Sequence, residues 1–210
     1  MARSLPMPPD DRRASLLLAA RQVFAARGYH SASVAHIIAA AGVARGTFYN
    51  YFESKRTAFQ AVLEELTAEL AASARPIDLG TPIAPQVEAN VVRVLHSACA
   101  PDLARILFTG AVGIDPEGDA ALGAFYEHGL GRIEAALRLG QGLGVVVPGD
   151  PPMLAQILLG MVKEPVFQAT LRGEALDPDR LVPSVIQVLT GGIIRIEMGI
   201  FGDASRQSLD

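Results

Sequence analysis

Cysteine is nearly absent from this chain. The single Cys99 excludes an internal disulfide framework and a cysteine-built zinc cage. The four histidines (His30, His36, His96 and His128) are scattered, so no ligand cluster forms and neither metal nor other cofactor is expected. No stretch approaches the ~18 uninterrupted apolar residues of a membrane span, so no membrane partner is expected. The opening Met-Ala-Arg-Ser-Leu-Pro-Met-Pro-Pro also lacks the apolar core of a secretion signal. Enzyme signatures are missing too: there is no Gly-x-Ser-x-Gly elbow, phosphate-binding glycine loop or His-Glu-x-x-His. Gly140, Gly142 and Gly144 lack both the spacing and the preceding strand of a dinucleotide fingerprint. These absences lead to the expectation of a soluble, cytoplasmic, non-enzymatic protein without catalytic residues.

What remains is apolar enough to fold. The 210 residues are 50% hydrophobic, which excludes disorder as the main state and allows one or two domains. Charge is unevenly placed. Residues 1–56 hold eight basic groups against three acidic ones, a net of +5, whereas residues 57–210 hold ten against nineteen, a net of −9. A small basic head on a large acidic body suits a polyanion partner.

Helix signals dominate. Asp115-Pro116-Glu117, Asp150-Pro151 and Asp177-Pro178-Asp179 each offer a cap, a proline at the first helical position and acid at the positive end of the dipole. Thr81-Pro82, Pro85 and Pro101-Asp102 read as further starts. Apolar residues recur at helical spacing, as in Leu122, Phe125, Tyr126, Ile133, Ala136 and Leu137, or Val87, Val91, Val94, Leu95 and Ala98. Val145-Val146-Val147, between glycine and proline, reads as a buried turn. The expectation is an all-α fold of about nine helices: a three-helix head containing a helix-turn-helix, joined by a long helix to a C-terminal helical domain. That long helix starts at the cap Ser54 and reaches about Arg75, some ~22 residues or roughly 33 Å. Phe59, Val62, Leu63, Leu66 and Leu70 form its core stripe.

Three shorter segments precede it. The first runs from about Asp11 to Arg27, buries Leu16, Ala20, Val23 and Phe24, and ends at Gly28. The second starts from Ser33, turns Val34, Ile37 and Ile38 inward, and is broken by Gly42, with Val43 plugging the turn. The third, about Ala44 to Tyr51, carries Arg45, Thr47, Tyr49 and Asn50. Two short helices around a glycine-containing turn form the helix-turn-helix pattern, whose second helix enters the major groove. Tyr51 and Phe52 are expected to anchor the following helix to the core.

The runs Phe24-Ala25-Ala26-Arg27-Gly28-Tyr29, Ser33-Val34-Ala35-His36-Ile37 and Ala40 to Lys55 closely resemble the DNA-binding domain of TetR-family transcriptional regulators. The resemblance covers about residues 11–60; beyond them only the helical outline agrees. It implies phosphate contacts from Thr47, Tyr49 and Lys55, base-edge or backbone contacts from Arg45 and Asn50, and a backbone contact from Ser33. Elementary chemistry agrees: arginine pairs bidentately with guanine, hydroxyls donate to phosphate, and helix N-termini favour anions. Three departures stand out. Ala44 replaces a common serine and Ala32 a common threonine, and Ile38 replaces a small residue where the third helix packs. The organisation expected is a flexible arm (1–10), a DNA-binding domain (11–56) and an effector-binding and dimerisation domain (57–210).

In the body, segments 151–172 and 179–201 are rich in apolar residues, the second nearly all round, which implies burial on two sides. The resemblance implies a homodimer built as a four-helix bundle from them, with Ile157, Met161, Val185, Ile186, Leu189 and Ile193 at the interface. Pro165 should kink the first segment, and Pro183 either kinks or starts the second. Val92, His96 and Cys99 lie beside the core stripe of their helix. With Phe108, Tyr126 and Phe167 they are candidates for lining the pocket of a small apolar or aromatic effector. The reading that results is a ligand-responsive regulator, in the first instance a repressor, on a palindromic duplex operator. The alternative is a helical small-molecule-binding or dimeric interaction protein that does not bind an operator.

Overall fold

The computed structural model describes residues 9–108, 116–174 and 176–191. Residues 1–8, Asp115, Ile193 and the end of the final segment therefore lie outside the description. Nine helices and no strand occur among the described residues: α1 (Pro9–Ser31), α2 (Val34–Ala41), α3 (Arg45–Tyr49), α4 (Lys55–Ser73), α5 (Ile83–Ala98), α6 (Pro101–Phe108), α7 (Pro116–Gly142), α8 (Pro151–Leu171) and α9 (Pro178–Gly191). The all-α expectation holds.

Local chemistry sets the boundaries in the head. Gly28, at φ 69° and ψ 165°, breaks helical geometry inside α1, so the helix kinks there before a last turn to Ser31. Glycine is suited to the sign of that φ. Ser33 caps α2 by accepting from the His36 N–H at 3.2 Å, and Gly42 closes it in the left-handed region. Ser54 and Thr57 form a reciprocal capping box at the start of α4, with Thr57 N–H donating to Ser54 at 3.2 Å and Ser54 N–H to Thr57 at 3.0 Å. At 19 residues α4 spans about 28 Å, ending two residues before the expected Arg75.

One large core joins α1, α2, α3 and α4 with α6 and α7. Leu16, Phe24, Ile37, Phe48, Phe59 and Val62 are inaccessible at its centre. Phe24 meets Phe59 edge-on at 5.1 Å, and Tyr29 lies 4.6 Å from the same ring. From the body, Leu103, Ile106 and Ala121 enter this core. A second, smaller cluster holds Leu95 and Cys99 of the α5 end with Leu181, Val182 and Val185 of α9.

Several details differ from expectation. Pro82, not Thr81, is the cap of α5. Asp150 caps α8 by position, followed by proline, but its side chain makes no capping bond, while Asp177 does accept from the Asp179 N–H at 2.9 Å. Pro165 and Pro183 both lie inside helices, so α9 starts at Pro178 and not at Pro183. Val145-Val146-Val147 follows the turn at Leu143-Gly144 as a bend, and its flanks are exposed, Val147 by 73%. Only Val146 is tucked in, lying against Gly140.

Candidate nucleic-acid interface

Helix α3 is a five-residue segment anchored from inside. Phe48 is fully buried and its ring meets that of Phe52 at a tilt, 5.7 Å between centres, which fixes the rotation of α3 about its own axis. That rotation turns the neighbours outward. Arg45, Tyr49 and Asn50 are exposed, and Thr47 is half-buried. The Arg45 guanidinium lies over the Tyr49 ring at 5.7 Å. Asn50 closes the helix, its N–H donating to the Gly46 carbonyl at 3.2 Å. The structure thus brings four expected contact residues onto one short element, with no acidic residue in its first turn.

Ser33 stands at the N-terminus of the preceding helix. Its oxygen is engaged by the His36 N–H, which leaves its own O–H able to donate to a phosphate. Lys55 has a role that its charge alone did not reveal. Its ammonium donates to the Tyr29 carbonyl at 2.8 Å and sits 4.2 Å from the Tyr29 ring centre. It therefore ties the start of α4 to the chain just past the Gly28 kink. The departures also acquire physical meaning. Ala44 is the cap of α3 and, lacking a hydroxyl, leaves that helix without a side-chain capping bond. Ala32 is buried in the core, and Ile38 packs against it.

Sequence reasoning treated Arg21 only as one more basic charge. In the structure its side chain is 15% exposed and faces three carboxylates of the body. Nε donates to Asp102 of α6, Nη1 donates to Glu69 of α4 at 2.6 Å, and Glu65 lies 3.7 Å away. The hydrogen bond to Glu69 leads in raising the arginine pKa, against the opposing effect of burial. Burial alone would raise the Asp102 pKa, but the Arg21 hydrogen bond and charge outweigh it and hold the carboxyl below its ordinary range. Partners 81 residues apart leave no local signal to find.

The remaining candidates scatter. Cys99 is buried, its thiol pKa pushed up by that burial, and Val92 packs against the same cluster. His96, next to them in sequence, is exposed. Tyr126, its pKa pushed up to about 12 by burial, has the Lys163 ammonium 4.6 Å from its ring centre, and Phe167 is half-buried. The side chain of Phe108 lies outside the described residues. A cavity of about 100 Å³ lies between the start of α6 and the end of α8, lined by Cys99, Pro101, Ala104, Arg105, Val166 and Thr170 among others. Of the five candidates whose side chains are described, only Cys99 lines it. On the proposed dimer face, Ile157 and Leu189 are exposed by 51% and 42%, Met161 and Ile186 are half-buried, and Val185 is buried in the second cluster.

The family model of bacterial regulatory proteins of the tetR family matches residues 16–62, the stretch from α1 to α4 that carries this interface. Over that stretch the chain is similar to TetR-family regulators. The transcriptional activator FasR of Mycolicibacterium smegmatis is 41% identical over 69 residues, 33% of this chain and 32% of that one. The chain spans less than half the length of the curated relatives that it matches. Among solved structures, FadR of Bacillus subtilis in complex with stearoyl-CoA has a TM-score of 0.73 at 22% identity, covering 86% of this chain and 99% of FadR. AibR in complex with isovaleryl coenzyme A and operator DNA has a TM-score of 0.63 at 18% identity, covering 85% and 97%. At those identities the likeness shows the fold alone, an all-helical head and body together. Among the described residues no helix is long and apolar enough to cross a membrane, and no group of histidine, cysteine or carboxylate side chains could hold a metal ion.

Proposed function

We propose that this chain is a cytoplasmic, dimeric transcriptional repressor that binds a roughly palindromic operator and is released from it by a small, mainly apolar effector. The observation that carries the reading is α3 itself: Phe48 is buried, while Arg45, Tyr49 and Asn50 are exposed on the outside of a head with net charge +5. Arg45 would read base edges, and Thr47, Tyr49, Ser33 and Lys55 would hold phosphates, with Asn50 serving either. The domain limits follow, with residues 11–56 reading DNA and 57–210 binding the effector and pairing with a second copy.

Pairing is supported by Met153, Ile157 and Leu189, whose exposure leaves an apolar surface on α8 and α9. For the effector, the structural neighbours bind stearoyl-CoA and isovaleryl-CoA, so acyl thioesters are the first compounds to titrate. The 100 Å³ cavity is smaller than the ~300–1,000 Å³ of a typical ligand site, so such a molecule would have to push its walls apart. The cavity is lined by α6, whose other face packs on the head.

The test is retention of fragments from the source genome by the purified protein. Arg45→Ala should lose ~1–3 kcal/mol of discrimination at one base pair, and Tyr49→Ala should weaken binding to every fragment. Because both side chains are exposed, thermal stability should not change. Binding that survives unchanged in the Arg45→Ala/Tyr49→Ala double variant overturns the placement. The bare cap at Ala44 favours the alternative, a binding or interaction protein without an operator. Retention of no fragment at low salt would establish it.

A further inference from the structure

The contact between head and body is two-sided at α6. Asp102, Leu103 and Ile106 meet α1 and its core, while Pro101, Ala104 and Arg105 line the cavity. At 100° per residue these two sets lie on roughly opposite faces of the helix. Apolar packing by Leu103 and Ile106 holds α6 against α1 but is non-directional, so it tolerates sliding. The ion pair is directional. Asp102 is held within the first turn of α6, where its other oxygen accepts from the Leu103 N–H at 2.9 Å. Any shift of α6 therefore carries this carboxylate with it. Arg21, one guanidinium among three carboxylates, simultaneously grips α4 through Glu69. Three helices thus converge on one half-buried cation at the joint.

We propose that Arg21 is a positioning residue for operator binding: by pinning Asp102 of α6 and Glu69 of α4 to α1, it sets the angle of the reading head on the body without touching DNA. This rests on the proposed dimeric DNA-binding function. In a dimer the angle fixes the separation of two α3 helices, and successive major grooves present their half-sites at a set spacing. Loss of the pin leaves each head intact and the pair out of register.

The experiment compares two duplexes: a fragment selected by the wild-type protein, and half of that site. Affinities at low salt are measured for the wild type, Asp102→Asn, Arg21→Met and the double variant. Glu64→Gln, on the exposed side of α4, serves as a control for the change in charge. Asp102→Asn should weaken full-site binding by about fivefold or more, the lower end of usual coupling effects, while half-site affinity stays within about twofold. Arg21→Met should do the same, and the double variant should be no worse than the stronger single one. Light scattering should still show a dimer. Asp102→Asn leaves the head sequence unchanged, so it remains informative if Arg21→Met does not fold. A full-site affinity unchanged in Asp102→Asn overturns the positioning role alone. So does an equal loss on both duplexes accompanied by a fall in Tm, which marks a purely structural contact. Failure of the wild type to select any DNA overturns the functional reading, and this inference with it.

Discussion

Head and body use their apolar residues in opposite ways. Among the described residues of the head nearly every large apolar side chain is committed to one core, and Leu18 and Tyr49 are its prominent exposed exceptions. In the body Leu139, Val147, Met153, Ile157, Leu171 and Leu189 stand in solvent, and among the described residues the second cluster has five buried members. A helix-turn-helix must hold one shape before it meets its partner, because the geometry of the groove does not adjust to it. If the body takes up an effector and a second copy of itself as proposed, its exposed apolar surface is what it would keep for them.

The contrast can be broken most severely from inside. Phe59→Ala, at a fully buried ring shared by Phe24 and Tyr29, should cost about 3–5 kcal/mol and melt the head, whereas Leu139→Ala should stay within about 0.5 kcal/mol. Thermal unfolding of the two variants side by side checks this. Within the body, Val185→Asp buries an unpaired charge and should unfold the chain. Ile157→Asp, at a position already half in water, should leave a folded monomer visible by light scattering. Ile186→Asp, half-buried, should fall between them. A folded, monodisperse monomer from the unmodified protein would remove the dimer proposal.

A gentler change sharpens the comparison from the head side. Ala44→Ser supplies the missing cap of α3 and should add about 0.5–1 kcal/mol of stability, read as a higher midpoint in urea. The smallest effect concerns acid. Because Asp102 has a depressed pKa in the folded chain, its contribution is complete above the ordinary aspartate range and is lost as pH falls through the lowered folded value. Asp102→Asn should therefore flatten the acid limb of the stability profile and leave the neutral region's slope unchanged.

How much of this was legible depended on the range of the signal. Ser33, Gly42 and Ser54 act within four residues of themselves, so α2 and the start of α4 could be read to the residue. Arg45, Thr47, Tyr49 and Asn50 could be placed on α3 from the sequence, but that Phe48 is the residue buried beneath them could not, because at three residues' spacing it shares a face with Arg45. The effector pocket was not readable in the same way. Val92, His96 and Cys99 share a stretch of α5, yet whether each faces α9 or water is decided by helices more than sixty residues away. Val145-Val146-Val147 looked buried because it is apolar, but with one neighbour tucked against Gly140 the other two have nothing to cover them. Lys55 and Arg21 were visible as charges. Their partners, a backbone carbonyl and a carboxylate on α6, were not.

The guanidinium of Arg45 stacked on Tyr49 has a consequence for the entropy of recognition. A free arginine on a short exposed helix samples many rotamers, and ordering such a side chain on a partner costs about 0.5–1.5 kcal/mol. Here an aromatic face 5.7 Å away narrows that choice before DNA arrives, so less disorder remains to be lost on contact. The ring and the hydroxyl of Tyr49 then have separable duties. Tyr49→Phe keeps the surface on which the arginine rests and would give up only the proposed phosphate hydrogen bond, whereas Tyr49→Leu would release the arginine as well. Calorimetry of the two variants on one duplex would show the second paying a larger entropic penalty at a similar loss of enthalpy.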